Sequence, residues 1–389
     1  MLTDRVNTLS ESITIAITTL AQELKAQGKD ILSFSAGEPD FNTPKVINDA
    51  AIAAINEGFT KYTAVDGIVE LRQAIANKLK RDNNLTYAPN QIITNNGAKH
   101  SLFNLISATI QKGDEVIIPA PYWVTYPELV LYCGGDVVEI ETNDETAFKI
   151  TPEQLKAAIT PKTKMLILTT PSNPTGSIYS KDELIALGKV LEGTDIIVAS
   201  DEMYEKLTFE GTFTSCAAVS EDMYKRTVTI NGLSKSVAMT GWRFGYMAAH
   251  NTELIKATKK LQSQSTSNIN TITQKAAIAG LDGSADADIE MMRLEFIKRR
   301  DEAYELINKI DGLSVVKPDG AFYLFVNIKE ISSDSLEFSK DLLDKKLVAV
   351  VPGVAFGSEG YFRMSFATDI ETIRTGIARI AEFVKELKA

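Results

Sequence analysis

The sequence predicts an α/β protein, with a large domain built on a mostly parallel sheet covered by helices and a smaller α+β domain after it. Three observations carry this. From about Ile92 onward, short apolar runs alternate with amphipathic stretches, the order that gives parallel strands joined by helices. After about Gly283 the pattern changes to a long charged helix and then an aromatic strand. The length of 389 residues exceeds what one small core organises and suits two domains.

The strands expected in the large sheet are 92–94, 115–119, 137–140, 164–168, 195–199 and 227–230. Their lengths and β-branched content fit strands buried on both faces. Helices are expected over 101–110, 152–159 and 181–191. In the second part, a helix over 286–310 leads into a strand over 321–326. Strands over 348–351 and 361–366 then precede a terminal amphipathic helix. The segment before about Pro44 has no strand-helix alternation of its own, and by pattern alone it suits either domain.

Composition narrows the function. A formal net charge of -10, from 41 basic and 51 acidic side chains, argues against a nucleic-acid or anionic-membrane partner but leaves room for a local basic pocket. Two cysteines and two histidines favour a reduced compartment and make a histidine-rich metal site an unattractive reading. The N-terminal residues lack an apolar leader, and no run is long enough to span a bilayer, so a cytoplasmic protein is expected.

Four motifs follow strands. Asn231-Gly-Leu-Ser-Lys235-Ser-Val-Ala-Met-Thr-Gly-Trp-Arg243-Phe-Gly puts Lys235 at or just past a strand's C-terminal end, the edge where open α/β sheets bind ligands. A desolvated lysine there can attack a carbonyl, and Arg243 can hold an anion. Taken alone, a solvated loop lysine and arginine are the simpler reading. Asn173, in Pro171-Ser-Asn173-Pro174-Thr-Gly176, is either a ligand donor or part of a strand-ending turn. Asp201, in Ala199-Ser-Asp201-Glu-Met-Tyr204, is either aimed at the sheet edge or a helix N-cap, and Tyr204 equally suits a core. Asn95-Asn-Gly97-Ala98-Lys99-His100 places small residues at a helix N-terminus, which suits a phosphate. No Gly-x-Gly-x-x-Gly precedes a helix, which counts against a nicotinamide dehydrogenase.

Together, in this order and spacing, the motifs resemble those of the class I aminotransferases, and within them a bacterial subgroup of aspartate aminotransferases. The match runs from Ser33-Phe-Ser-Ala-Gly37-Glu-Pro-Asp to Tyr361-Phe-Arg363-Met-Ser-Phe. The resemblance implies the aspartate aminotransferase fold, with 45–283 as the cofactor-binding domain and 284–389 as the small domain. It implies that 1–44 packs with the small domain and the substrate site.

It further implies that Lys235 holds pyridoxal 5'-phosphate as a Schiff base and later serves as the base at the substrate's Cα. Asp201 would partner the pyridine nitrogen, and Asn173 and Tyr204 the ring's 3-oxygen. Trp123, in Pro121-Tyr-Trp-Val, matches a ring-stacking aromatic, although by sequence alone a core tryptophan is preferred. By the same resemblance, Gly97, Ala98, Lys99 and Ser234 would belong to the cofactor site, with Arg243 on the phosphate. Tyr62 matches a tyrosine that reaches the phosphate from an adjacent subunit, which implies a homodimer with shared sites. Gly37, Asn173 and Trp123 would contact substrate. Arg363 would grip its α-carboxylate with a planar fork that lysine cannot reproduce.

Lys99 matches a lysine that reaches the distal carboxylate of aspartate or glutamate. As an exposed first-turn lysine it would be mildly misplaced against the helix dipole, which favours the binding role. The implied reaction is ping-pong transfer from L-aspartate to 2-oxoglutarate, giving oxaloacetate and L-glutamate. The alternative is an aromatic or broad-range specificity, prephenate included. Many relatives carry a basic residue and proline where this chain has Ser10-Glu11, a departure in a segment that often covers the substrate. A non-catalytic domain fused to a DNA-binding module is the rival of another class. The chain has no spare length for such a module, and its charge is wrong for nucleic acid.

Overall fold

The computed structural model describes residues 2–389. Its centre is a seven-stranded sheet in the order Ile92–Asn95, Gly245–Ala249, Thr227–Gly232, Ile197–Asp201, Thr163–Thr169, Glu115–Ala120, Asp136–Glu141. Every neighbouring pair is parallel except the two made by Gly245–Ala249, which runs antiparallel to both its neighbours. The inner strands are buried on both faces, as their unbroken apolar runs require.

The helices between strands begin where the sequence supplies caps. Ser180 accepts from Glu183 N and Glu183 returns a bond to Ser180 N, a capping box that starts Lys181–Leu191. Thr151 and Gln154 do the same for Pro152–Ala158.

A four-stranded antiparallel sheet forms the second layer system, in the order Val351–Pro352, Tyr361–Ser365, Tyr323–Asn327, Ser314–Val315. Helices Asp286–Ile307, Ser335–Lys346 and Ile370–Lys388 accompany it. The last buries Ile373, Ile377, Ile380, Phe383 and Val384, a stripe at helical spacing.

One expectation needs correction, and two features go beyond what the pattern showed. The apolar run 348–351 is not one strand. Val348–Ala349 pairs in parallel with Leu32–Ser33, while Val351–Pro352 joins the four-stranded sheet. The segment before Pro44, which pattern alone left able to pack with either domain, forms a helix Ile13–Ala26 and the strand Leu32–Ser33. Its placement is fixed by backbone bonds from Phe34 N to Ala349 O at 2.8 Å and from Ser365 N to Phe34 O at 2.9 Å. The strand Gly245–Ala249 was not among those expected. No helix among the described residues is long and apolar enough to cross a membrane.

Candidate active site

The C-terminal ends of the parallel strands lie along one edge of the large sheet. After Asn95 comes Gly97-Ala98-Lys99, after Ala120 comes Trp123, and after Thr169 comes Asn173. Asp201 ends its own strand, and Ser234-Lys235 follow Gly232. The antiparallel strand begins at this edge rather than ending there, so Arg243, two residues before its start, arrives at the same place. All of these side chains, with Gly37, Tyr204 and Arg363, line a single cavity of about 490 Å³. A groove of about 540 Å³ between the helices Asp286–Ile307 and Ile370–Lys388 contains none of them.

At the centre, Lys235 Nζ donates to the carbonyl of Gly37. Burial lowers its pKa to about 8, opposed by the carboxylates of Glu38 and Asp201 and aided by Arg363 and Arg243. Roughly a tenth of the amine is therefore neutral at pH 7, far more than for an ordinary lysine, and the neutral form is the one that can attack a carbonyl or accept a proton. Asp201 is buried, and its Oδ1 accepts from Met203 N at 3.2 Å. It closes a strand, and the helix N-cap reading does not hold. Burial raises its pKa, while the hydroxyl of Tyr126, Met203 N–H and Lys235 pull it down.

One wall suits an anion. Gly97 caps the helix Ala98–Thr109 with no side-chain bond, so the first-turn amides of Ala98 and Lys99, residues that line the cavity, have no side-chain cap. Gly97 has φ +82°, and a Cβ there would lie 2.8 Å from the Arg243 guanidinium. A Cβ on Gly245 would lie 2.4 Å from Ala98 N. Only glycines let the strand, the helix end and the guanidinium crowd together this closely. Arg243 holds its position by donating to Thr240 O at 3.0 Å.

The opposite wall is Arg363, 2% exposed. Its two terminal nitrogens donate to Asn173 Oδ1 at 2.9 Å and Ser35 O at 2.8 Å, and the plane lies 4.3 Å from the Tyr323 ring centroid. Nε is buried without a partner. Tyr204 is buried, with its hydroxyl 2.8 Å from that of Tyr323. Lys99 lies at the rim, its ammonium 4.9 Å from the Trp123 ring centroid, and partial desolvation followed by the Arg243 charge lowers its pKa.

Thr14, Ile15, Thr18 and Thr19 of the first long helix also line the cavity. Sequence reasoning missed these, along with Tyr126 and Tyr323. The only local sign was that their segment lacked an independent fold pattern. Ser10 lies outside, its backbone N–H donating to Glu128 at 2.8 Å. Tyr62 is 92% exposed and is not in the cavity of its own chain.

The match to known proteins covers the whole of this arrangement. The family model for aminotransferase class I and II matches residues 29–380. The aspartate aminotransferase of Bacillus subtilis (strain 168) is 49% identical over 391 residues, 99% of each chain. An aspartate/prephenate aminotransferase of Nitrosomonas europaea is 46% identical, over 98% of this chain and 99% of that one. The solved aspartate aminotransferase of Thermus thermophilus with maleate superposes with a TM-score of 0.95 at 42% identity, covering 98% and 99% of the two chains. A lysine amine, a buried carboxylate and one arginine at one sheet edge, faced by a second arginine from the four-stranded sheet, in a chain matched over nearly its full length, make this protein a member of the class I and II aminotransferases.

Proposed function

We propose that the protein transfers the amino group of L-aspartate to 2-oxoglutarate, using pyridoxal 5'-phosphate in the cavity at the sheet edge. The observation that carries this is the half-buried Lys235, its amine lowered to about 8, in one cavity with the carboxylate of Asp201 and the guanidinium of Arg363. The residues fit the cofactor. The glycine-lined helix end and Arg243 suit its phosphate, and the desolvated carboxylate of Asp201 suits a protonated ring nitrogen. With Asn173 Oδ1 engaged by Arg363, its amide N–H groups and the Tyr204 hydroxyl are the donors for the ring oxygen. Trp123 gives the ring a flat apolar wall.

Bound there, pyridoxal phosphate supplies a carbonyl that captures amino groups and a ring that withdraws electrons from the substrate's Cα. Lys235 would hold the cofactor, and its free amine would be the base that moves the proton at the substrate's Cα. Such a positioned base contributes roughly 10²–10⁴ in rate. Arg363 binds the α-carboxylate through its fork. Lys99, at the rim, meets the distal carboxylate. Ser234 and the Gly37 backbone complete the cofactor and substrate sides.

The exposure of Tyr62 supports a homodimer in which this tyrosine reaches the phosphate of the neighbouring subunit. An aromatic or broad-range specificity has in its favour the apolar contribution of Ile15 and Trp123 to the lining.

The test is direct. Purified protein should absorb in the visible and change its spectrum on adding aspartate. Half-reaction rates with aspartate, glutamate, phenylalanine and alanine then rank the substrates. A colourless protein indifferent to added pyridoxal phosphate overturns the reading, and phenylalanine outrunning aspartate overturns the acidic specificity.

A further inference from the structure

Tyr126 lies on the helix Thr125–Tyr132, which follows the strand Glu115–Ala120, and is 1% exposed. Its hydroxyl is 2.8 Å from Asp201 Oδ2 and 2.6 Å from Thr169 Oγ1. A hydroxyl has one proton, and an ionised carboxylate has none to give. Tyr126 therefore donates to Asp201, and Thr169 in turn donates to the Tyr126 oxygen. The direction of the chain is fixed from Thr169 through Tyr126 to Asp201. Asp201 Oδ1 takes Met203 N–H, so each carboxylate oxygen is held by one donor and keeps acceptor capacity for a ligand. The ring of Tyr126 also meets that of Trp123 edge-on, with centroids 5.5 Å apart at 89°. One side chain thus sets both the carboxylate and the flat wall above it.

We propose that Tyr126, backed by Thr169, is the positioning residue that orients Asp201 and holds it as the charged partner of the cofactor's ring nitrogen. This rests on the pyridoxal phosphate reading above. Tyr126 suits the task because burial and the Asp201 charge push its own ionisation well above the usual tyrosine range, so it remains a donor at any working pH. Among the groups opposing the burial of Asp201 its hydrogen bond is the largest. Without it, a carboxylate in an apolar wall keeps a single backbone donor, and its charge becomes costly.

The experiment compares the wild-type, Tyr126→Phe and Thr169→Val holoenzymes by three readouts. These are the dissociation constant for pyridoxal phosphate, the pH midpoint of the visible absorption, and the half-reaction rate with aspartate. Loss of a hydrogen bond to a charged group corresponds to roughly a 10- to 100-fold effect. Tyr126→Phe should slow the half-reaction by about that factor with little change in the concentration of aspartate needed. It should also weaken cofactor binding and move the absorption midpoint to higher pH, because a less fully protonated ring withdraws fewer electrons. Thr169→Val should move all three the same way by a smaller factor, about 2- to 5-fold, and it carries the test if Tyr126→Phe does not fold.

In an Asp201→Asn background, Tyr126→Phe should add less than about 2-fold, since neighbours acting through one group are not additive. An undiminished Tyr126→Phe effect in that background would mean the tyrosine acts through packing alone and would overturn the proposal. So would a Tyr126→Phe enzyme with wild-type cofactor affinity and absorption midpoint. Wild-type protein that takes up no pyridoxal phosphate overturns the functional reading and this proposal together. Wild type that binds it while both variants match wild type overturns this proposal alone.

Discussion

Arg363 Nη1 donates to Asn173 Oδ1 at 2.9 Å, joining the four-stranded sheet to the turn that follows the strand Thr163–Thr169 of the seven-stranded one. The fork is occupied on both terminal nitrogens, by Asn173 and by Ser35 O. A lysine can replace the charge but satisfies only one direction. We expect Arg363→Lys to raise the KM for aspartate and for 2-oxoglutarate about 10- to 100-fold, the worth of a charged hydrogen bond, with a smaller change in kcat. An unchanged half-reaction rate at low aspartate concentration would sink the assignment.

Lys99 is held over Trp123 at the rim rather than engaged by a carboxylate of its own chain. Lys99→Ala should therefore cost acidic substrates about 10-fold or more in kcat/KM and leave phenylalanine within about 2-fold. Equal losses for aspartate and phenylalanine refute the role.

The low pKa of Lys235 makes a prediction about the protein without cofactor. Its folded-state pKa, about 8, lies below the ordinary 10.5. Below pH 8 the lysine carries a proton in both states, and the fold bears the full cost of burying it. Between about 8 and 10.5 the unfolded chain still holds the proton that the folded one has released, so stability rises with pH. Lys235→Met should be more stable than the wild-type apoprotein at pH 7, by roughly 1–3 kcal/mol, and the gap should shrink toward pH 10. Urea midpoints across this range measure it, and a constant gap contradicts the shift.

Glu202 gives the opposite sign. One oxygen accepts from Ser200, Ser215 and Cys216 N, the other has no partner, and burial pushes the carboxyl up to about 7 against an ordinary 4.5. Here the folded state keeps a proton that the unfolded state has lost, so stability falls as pH rises from about 4.5 to 7. Glu202→Gln should flatten the urea midpoint across that window. An unaltered slope shows that Glu202 titrates normally.

Tyr62 is tested by mixing. Tyr62→Ala and Lys235→Ala proteins should each be impaired, the second fully. Co-refolded, they should regain activity, because a hybrid dimer contains one site with Lys235 from one chain and Tyr62 from the other. No recovery in a demonstrated hybrid dimer places Tyr62 outside the neighbour's site.

How much of this was legible in the sequence depended on whether a residue's partner lay nearby in the chain. The helix Lys181–Leu191 was readable because Ser180 and Glu183 cap it locally. Lys235, Asp201 and Asn173 stood out because each follows an apolar strand. The strand Gly245–Ala249 is not legible because no helix separates it from the strand Thr227–Gly232, which breaks the alternation that marks the other strands. The run at 348–351 is uniformly apolar, and the division of its two ends between separate sheets is decided by Leu32–Ser33, more than three hundred residues earlier. Tyr126 reads as one more aromatic on a helix until Asp201 and Thr169 are brought to its hydroxyl.

The bonds of Phe34 and Ser35 have a mechanical consequence. Phe34 is stitched to Ala349 and Ser365. Ser35 receives Arg363 through its carbonyl and meets Thr18 through its hydroxyl at 2.9 Å. The helix bearing Thr14, Ile15, Thr18 and Thr19 is therefore geared to the strand bearing Arg363. Any shift of the arginine is passed through Ser35 to the helix that lines the cavity opposite the sheet edge, so ligand binding and helix position are mechanically coupled.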